Sequence, residues 1–177
     1  LKLPDLKEWI EGLNLIVMPP QRVHAGVLHT LLPRLNEASQ GSVWLAAGML
    51  YRGDDVRRLK RLSELAADAL VPLIAVNDVL YHASERRSLQ DVVTCIREHL
   101  TLEEAGRRLQ AHAERHLKPA EEMARLFRLV PQALGETLRF LDRCNFSLDE
   151  LRGTEYADET RLGYATPQGA LVAFARE

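Results

Sequence analysis

Three apolar runs in the first half of the chain predict buried strands. They are LNLIVM, SVWLAAGML and VPLIAV, and none of them alternates apolar with polar positions. Strands without polar alternation are typically covered on both faces, as in a parallel α/β sheet or barrel. The first run ends at Pro19 and Pro20, because proline has no N–H to donate to a strand ladder.

The segments between these runs predict helices. LKEWIEG is a short amphipathic segment closed by Gly12. Between Arg22 and Asn36, apolar residues recur near helical spacing, but Pro33 interrupts them and predicts a kinked or broken helix. GDDVRRLKRLSELAADAL predicts a long helix, because its apolar residues fall on one face and Asp54 stands at the N-cap position.

The second half predicts helices and no strand after Ser84. RRSLQDVVTCIREH has the helical period, and RGTEYADETRLGYAT predicts a polar loop. The expected helix starts are the capping boxes Thr101–Glu104 and Ser147–Glu150 and the prolines Pro119, Pro131 and Pro167, and in the helix after Pro131 the expected inner face is Leu134, Leu138 and Leu141. The predicted fold class is therefore α/β, with βα units over residues 1–84 and a helical segment over residues 85–177.

The charges of the chain are balanced, with 23 Lys and Arg against 25 Asp and Glu and a net charge of −2. No basic excess therefore indicates nucleic-acid binding. The groups Arg57–Arg61, Arg86–Arg87 and Arg107–Arg108 could contact phosphates locally. Because acids flank them in the sequence, a solvated face of mixed charge is the favoured interpretation.

The number of cysteines limits the disulfide bonds that the chain can form. The chain has two cysteines, Cys95 and Cys144, which excludes a disulfide framework and predicts a reducing cytoplasmic location. Neither has an evident histidine base, so both are predicted to be small core residues rather than nucleophiles. No apolar run reaches membrane length and no signal peptide is expected, so no membrane partner is predicted. Leu1 and Glu177 are expected to be the ends of a piece cut from a longer protein.

Asp78 is the best single candidate for chemistry. It follows the third predicted strand in VPLIAVNDVLYH, and α/β folds place their active sites at the carboxyl ends of strands. Residues i and i+2 of an extended segment point the same way, so a D-x-H pair would aim two ligands at one metal ion. Leu80 stands at the second position and has no lone pair. The favoured interpretation is that Asp78 caps the following turn, and the alternative is a remnant metal ligand.

The histidines form no H-x-H pair and no H-E-x-x-H motif. His112 and His116 have i, i+4 spacing, which would place both rings on one face of a helix. No third ligand lies nearby, so a solvated or hydrogen-bonded role is the favoured interpretation. His24 and His29 show no pairing, and His82 is expected to lie past the strand end.

Several segments, in order and at matching spacing, resemble the family C DNA polymerases, the bacterial polymerase III alpha type, and most closely their error-prone, damage-inducible branch. NDVLYH resembles the last motif of the polymerase and histidinol phosphatase (PHP) domain, and RRSLQDVVTCIREHLTLEEAG the segment after it. AERHLKPAEEMARLF and PQALGETLRFLDRCNFSLDEL resemble the helices that lead toward the palm. The resemblance spans about residues 44–177.

This resemblance implies the C-terminal part of a distorted β/α barrel of PHP type over residues 1–84, followed by the helical lead-in to the palm over residues 85–177. The last D-x-H motif of the PHP domain maps onto Asp78 and Leu80, so only Asp78 matches, as a remnant metal ligand. Pro19 and Pro20 stand where metal-binding members can offer a ligand. Both departures argue against an active metal site, and no catalytic residue is assigned in this chain.

The resemblance further implies a parent protein that performs DNA-templated nucleotidyl transfer in DNA repair and replication. Its divalent metal, Mg²⁺, would serve the palm, and no cofactor is expected in this segment. The partners implied are DNA, through the parent, and polymerase accessory proteins. Two alternatives stay open, a metal-dependent phosphoesterase of the PHP type and a helical protein-binding module over Ala120–Leu151.

Overall fold

The structure, a computed structural model, describes residues 3–151 and 166–175. In chain order its elements are α1 (Leu3–Glu8), β1 (Leu15–Val17), α2 (Ala25–Ala38), β2 (Val43–Gly48), α3 (Asp55–Asp68), β3 (Leu73–Val76), α4 (Arg87–Glu98), α5 (Leu102–Ala105), α6 (Ala120–Leu126), α7 (Gln132–Asp142) and α8 (Pro167–Phe174). Short 3₁₀ turns lie at Ser84–Arg86, Gly106–Arg108 and Leu148–Leu151.

The three predicted strands form one parallel sheet in the order β1-β2-β3. Leu15 pairs with Val43, and Leu45 pairs with Leu73. Parallel neighbours need a crossover connection, and α2 and α3 supply the two crossovers. The α/β class is therefore confirmed. Within the described residues the sheet has three strands and is open, with β1 and β3 at its edges.

The central strand β2 is buried on both faces, as its unbroken apolar sequence predicts. Leu45 and Ala47 belong to the main core, which also contains the inner faces of α2 and α3. Trp44 and Ala46 face the opposite side, where the Phe140 ring of α7 packs edge-on against Trp44 with its centroid 5.2 Å away. Edge-to-face packing at this distance is favourable for aromatic pairs.

The inner face of α7 is not the one that its leucines predict. Leu138 and Leu141 are 64% and 65% exposed, whereas Ala133 is fully buried. Leu134 is partly buried against the main core, and Phe140 packs on the sheet. The prediction for Leu138 and Leu141 was wrong because helical periodicity identifies an apolar stripe but not which neighbour covers it.

Helix α2 continues from Ala25 to Ala38 through Pro33, so of the two predicted alternatives, a kink or a break, the break was wrong. Helix α3 begins after Asp54, as expected, but the Asp54 side chain makes no capping hydrogen bond. The neighbouring Asp55 carboxylate accepts hydrogen bonds from the backbone N–H groups of Leu50 and Arg52, at 3.0 and 2.8 Å. This carboxylate therefore holds the turn between β2 and α3.

The capping box at the start of α5 is confirmed. The Thr101 hydroxyl accepts from the Glu104 N–H, and the Glu104 carboxylate accepts from the Thr101 N–H. Helix α4 ends at His99, whose left-handed φ of 55° closes the helix.

Contacts between residues divide the chain into two units, residues 1–144 and residues 145–177. In the second unit, Glu150 accepts a hydrogen bond from the Ser147 N–H before the turn Leu148–Leu151. The Thr166 hydroxyl caps α8 by accepting from the Gly169 N–H. The predicted polar loop falls almost wholly on residues 152–165, which lie outside the described residues.

Candidate functional site

Asp78 lies directly after β3 and pairs with Arg115. The Arg115 Nη2 is 2.7 Å from the Asp78 Oδ1, and the Arg115 Nε donates to the Asp78 carbonyl oxygen at 2.9 Å. Asp78 has a φ of 45°, a left-handed conformation that Asp and Asn adopt more readily than most residues. The side chain of Arg115 is 14% exposed and that of Asp78 is 34% exposed, so this ion pair is partly shielded from water.

The backbone around this pair is also joined. Leu80 N–H donates to the Arg115 carbonyl at 2.9 Å, and the Asn77 side-chain amide donates to the His116 carbonyl at 2.8 Å. A parallel β-bridge links Tyr81 to His116. We call these residues (Asn77, Asp78, Leu80, Tyr81, Arg115 and His116) the Arg115 clamp. The clamp fixes the segment before α6 to the carboxyl end of β3.

The chemistry of the clamp does not fit a metal ion. The carboxylate of Asp78 accepts from a guanidinium whose positive charge opposes a cation at the same oxygen. The side chain of Leu80 has no donor atom for a metal, and the Leu80 backbone N–H donates to the Arg115 carbonyl oxygen. Across residues 3–151 and 166–175, no group of three or more His, Cys, Asp or Glu side chains is placed to hold a metal. The role of Asp78 as a remnant ligand stays a prediction.

His112 and His116 do not lie on a helix, so their i, i+4 spacing does not bring the rings to one face. His112 packs edge-on against Tyr51, and its Nδ1 accepts from the Glu114 N–H. His116 Nδ1 lies 3.0 Å from the Ala113 carbonyl oxygen. The two histidine rings therefore make separate local contacts and do not form a shared site.

The cysteines differ from each other. Cys95 is buried in α4, as predicted for a core residue, whereas Cys144 is exposed just after α7. The prediction of a core position for Cys144 was therefore wrong. Its thiol donates to the carbonyl of Phe140 at 3.3 Å.

A second polar cluster joins the end of β2 to α6. The Tyr51 hydroxyl donates to Glu122 Oε1 at 2.6 Å. Arg125 donates two hydrogen bonds to the same carboxylate, from Nε at 2.7 Å and from Nη2 at 2.6 Å. Lys118 is almost fully buried, donates to Glu114 Oε2 at 3.0 Å and lies 5.2 Å from the centre of the Tyr51 ring. A buried ammonium is stabilised only where a carboxylate or a ring face is at hand, and here it has both.

These contacts shift the ionisation of the cluster. The hydrogen bonds from Arg125, and then from Tyr51, lower the pKa of Glu122 to about 2. Burial, and then the hydrogen bond to Glu122, raise the pKa of Tyr51. Glu122 also raises the pKa of Arg125. At neutral pH the carboxylate is therefore charged and fully engaged within the protein, which suits a structural role rather than proton transfer.

Helix α7 is attached to the sheet by polar contacts as well as by packing. The Trp44 Nε1 donates to Glu136 Oε2 at 3.0 Å, and the Arg143 guanidinium stacks 5.5 Å above the Trp44 ring. Arg143 also donates to the hydroxyl of Ser42, and its carbonyl accepts from the Asn14 side chain. Sequence reasoning missed these contacts because the partners lie about a hundred residues apart.

The carboxyl ends of β1 and β2 border two clefts rich in arginine. The larger, of about 630 Å³, is lined by Arg52, Arg107 and Arg108, and the smaller, of about 270 Å³, by Arg22, Arg57 and Arg61. Arg58 of α3 donates to the carbonyls of Gln21 and Pro19 in the loop after β1, at 2.7 and 3.1 Å. Burial lowers the pKa of Arg58. The fold thus brings together arginine groups that are far apart in the sequence.

No protein-family model matches the chain, but curated proteins do. An error-prone DNA polymerase of Bradyrhizobium sp. (strain ORS 278) is 56% identical over 171 residues, which are 97% of this chain and 14% of that protein. This chain is a homologue of one segment of the error-prone DNA polymerases. The Bradyrhizobium diazoefficiens protein of the same name is 48% identical over 97% of the chain, and the Mesorhizobium japonicum protein is 44% identical over all of it.

The predicted resemblance to error-prone DNA polymerases is confirmed by these relatives. The chain spans about one-seventh of their length, from 14% to 16% of each. Among the helices of the described residues, none has both the length and the apolar character that crossing a bilayer requires.

Proposed function

We propose that residues 1–177 are part of an error-prone DNA polymerase that performs DNA-templated, damage-tolerant nucleotidyl transfer in DNA repair and replication. The observation that carries this proposal is the identity of 44% to 56% across nearly the whole chain to proteins of that name. The parent would use Mg²⁺ in its palm to stabilise the charge that develops on the transferred phosphate. Its partners would be DNA and polymerase accessory proteins, and its location the cytoplasm.

Within the parent, this segment would be the C-terminal part of a PHP-type β/α barrel over residues 1–84 and the helical lead-in to the palm over residues 85–177. Three parallel strands joined by α2 and α3 support this assignment, because consecutive βα units are the building blocks of such barrels. The Arg115 clamp would then connect the barrel portion to the lead-in, since it joins Asp78 to the segment before α6.

The segment itself would be structural and would carry no catalysis. Three carboxylates, two near the ends of strands and one on α6, support this. Asp78 is paired with Arg115, Asp55 accepts hydrogen bonds from two backbone N–H groups, and Glu122 accepts hydrogen bonds from Arg125. A carboxylate whose oxygens are occupied by hydrogen bonds or an ion pair within the protein is a weak candidate for a general base, because a general base must reach the proton that it abstracts.

The test is to assay primer extension on intact and abasic templates by a longer polymerase that contains this chain, and by the chain alone, with Mg²⁺, Mn²⁺ or Zn²⁺. The longer protein is expected to extend the primer, and the chain alone is expected to show neither extension nor 3′–5′ nuclease activity. Metal-dependent activity of the chain alone, abolished by Asp78→Ala, would favour the phosphoesterase alternative instead. Arg115→Lys serves as the control, since it keeps the positive charge beside Asp78.

One observation favours the protein-binding alternative as an added role. Leu138 and Leu141 project from α7 with about two-thirds of their surface exposed, and exposed apolar side chains on one helix are common at protein interfaces. A pull-down with polymerase accessory proteins would test it. Leu138→Ser with Leu141→Ser should abolish capture, whereas Leu89→Ser, on the exposed face of α4, should leave it unchanged.

A further inference from the structure

Two adjoining clefts lie where β1 and β2 end. The larger is bounded by the loops after both strands and by residues 107–112, and the smaller by the loop after β1 and the first half of α3. Gln21 lines both clefts. We call the combined lining of the two clefts the arginine surface, and its arginines are Arg22, Arg52, Arg57, Arg58, Arg61, Arg107 and Arg108.

The charge of this surface is opposite to that of the whole chain. Among the described residues that line the two clefts, seven arginines stand against one acid, Asp54, whereas the chain has a net charge of −2. Of the acids that flank these arginines in the sequence, Asp55 bonds to the backbone of the β2–α3 turn and Glu104 closes the capping box of α5, and neither lines the two clefts. The lining of the two clefts is therefore predominantly cationic.

Most of these guanidinium groups are free to bind a ligand. Arg58 is occupied by the carbonyls of Gln21 and Pro19, and Arg108 lies 3.9 Å from Glu98. The other five make no side-chain hydrogen bond or ion pair with the described part of the chain, and these are Arg22, Arg52, Arg57, Arg61 and Arg107. Arginines that are not paired within a protein and lie along one surface present their planar N–H groups to an external anion.

An extended polyanion fits this surface better than a single small anion, because the arginines come from two adjoining clefts and from three separate stretches of chain. Recognition would involve the backbone and not the bases. The two aromatic rings in the lining of the larger cleft, Tyr51 and His112, pack edge-on against each other, and Tyr51 also contacts Glu122 and Lys118. Both rings are therefore engaged within the protein rather than presented for stacking on a base. Contacts of this type are independent of sequence and sensitive to salt.

We propose that the arginine surface binds the phosphate backbone of a nucleic acid strand. The choice of DNA as that nucleic acid rests on the proposed polymerase function, whereas the phosphate chemistry rests on the arginines alone. A single strand that contacts all five free arginines would show a slope of log affinity against log salt of about −3.5. Its affinity would then fall about 100-fold between 50 and 200 mM salt.

The experiment measures fluorescence anisotropy of labelled 20-nucleotide single-stranded and duplex DNA with the 177-residue chain, at several salt concentrations. Arg52→Gln with Arg107→Gln removes two exposed, unpaired arginines and should reduce the slope for single strands by about 1.4. The matched control, Arg34→Gln with Lys60→Gln, makes the same change in charge outside the arginine surface and should leave the slope unchanged. Thermal melting checks that both pairs of variants stay folded.

Two outcomes would overturn the inference. One is an equal slope of log affinity against log salt for the two double variants. That result would show that the net charge of the chain, and not the arginine surface, sets its affinity for DNA. The other is tighter binding to poly-glutamate than to either DNA, which would make an acidic protein the partner. A longer polymerase that extends primers while the arginine variants bind DNA normally would refute this inference only. DNA binding that depends on Arg52 and Arg107, without primer extension by the longer protein, would refute the proposed function only.

Discussion

Arg115 reaches across 37 positions of sequence to hold Asp78 by both its side chain and its carbonyl oxygen. An α/β fold commonly has its active site at the carboxyl ends of its strands. Here the ion pair instead joins the end of β3 to the segment before α6. Since Asp78 is in the left-handed region, its backbone carbonyl is presented to the Arg115 Nε at the same time as its carboxylate faces Nη2. One guanidinium therefore holds the end of the strand and the following turn together.

Breaking this pair should destabilise the protein. Arg115→Met keeps much of the aliphatic stem and removes both hydrogen bonds, so we expect the free energy of unfolding to fall by about 1–2 kcal/mol. Urea unfolding measures the change, and Asp78→Asn is the matched partner in a double-mutant cycle, since Asn also tolerates a left-handed φ. If the two changes simply add, the side chains do not interact in solution.

The exposure of Leu138 on α7 can be tested against a leucine that is buried in α3. Leu138→Ala should change the free energy of unfolding by less than about 0.5 kcal/mol, because the side chain is exposed. The same substitution at the fully buried Leu62 of α3 should cost about 2–5 kcal/mol through lost burial and a cavity. Chemical denaturation of both variants measures this, and a large loss at Leu138 would mean that α7 packs through its leucine face.

Acid should remove the stabilising effect of Glu122. Its pKa is lowered to about 2 in the folded protein, from an ordinary value near 4.5, so its stabilisation is complete above pH 4.5 and is lost as the pH falls toward 2. The difference in unfolding free energy between the wild type and Glu122→Gln should therefore be largest near neutral pH and shrink across this window. Urea titrations at pH 6, 4 and 3 measure it.

Glu121→Gln is the control for this pH dependence. Glu121 is the preceding residue on α6, and its side chain has no hydrogen bond or ion pair to any described residue. An equal shrinkage for both variants would attribute the effect to the negative charge at the start of α6 instead of to the Arg125 pairing.

The contribution of the capping box at the start of α5 to the free energy of unfolding should be measurable on its own. Thr101→Ala removes the hydroxyl that accepts from the Glu104 N–H, and we expect a loss of about 1 kcal/mol in the free energy of unfolding. Thr101→Ser keeps the hydroxyl and should recover most of that loss. Thermal or urea denaturation compares the three proteins. Equal stability of the Ala and Ser variants would show that the box does not hold this turn in solution.

Local pattern was sufficient where neighbours in sequence decide the structure. The three strands, the start of α5 and the cap of α8 follow from apolar runs, a Thr-Glu spacing and a Thr-Pro pair. Of the kink or break expected at Pro33, the break does not occur, since α2 continues through it. Proline removes one hydrogen bond from a helix interior, and burial of Leu28, Leu32 and Leu35 along the same face offsets that loss.

The candidate site was only partly predictable. Asp78 was found from its position after a buried strand, but its partner Arg115 carries no local signal that points to it. Acids adjoin the arginine groups Arg57–Arg61 and Arg107–Arg108 in the sequence, and this pattern favours faces of mixed charge. In the fold, Asp55 and Glu104 bond to backbone N–H groups and do not line the two clefts, so the lining there is richer in arginine than the neighbours in sequence indicate.

The sequence by itself determined the α/β class, the three strands and the kinship to error-prone DNA polymerases, because these depend on residue order and local periodicity. Tertiary structure decided which face of α7 is buried, which residue Asp78 holds and where the arginines gather. The physical reason is the same in each case. Packing, ion pairing and surface charge depend on distances between residues far apart in the chain, and only the folded backbone sets those distances.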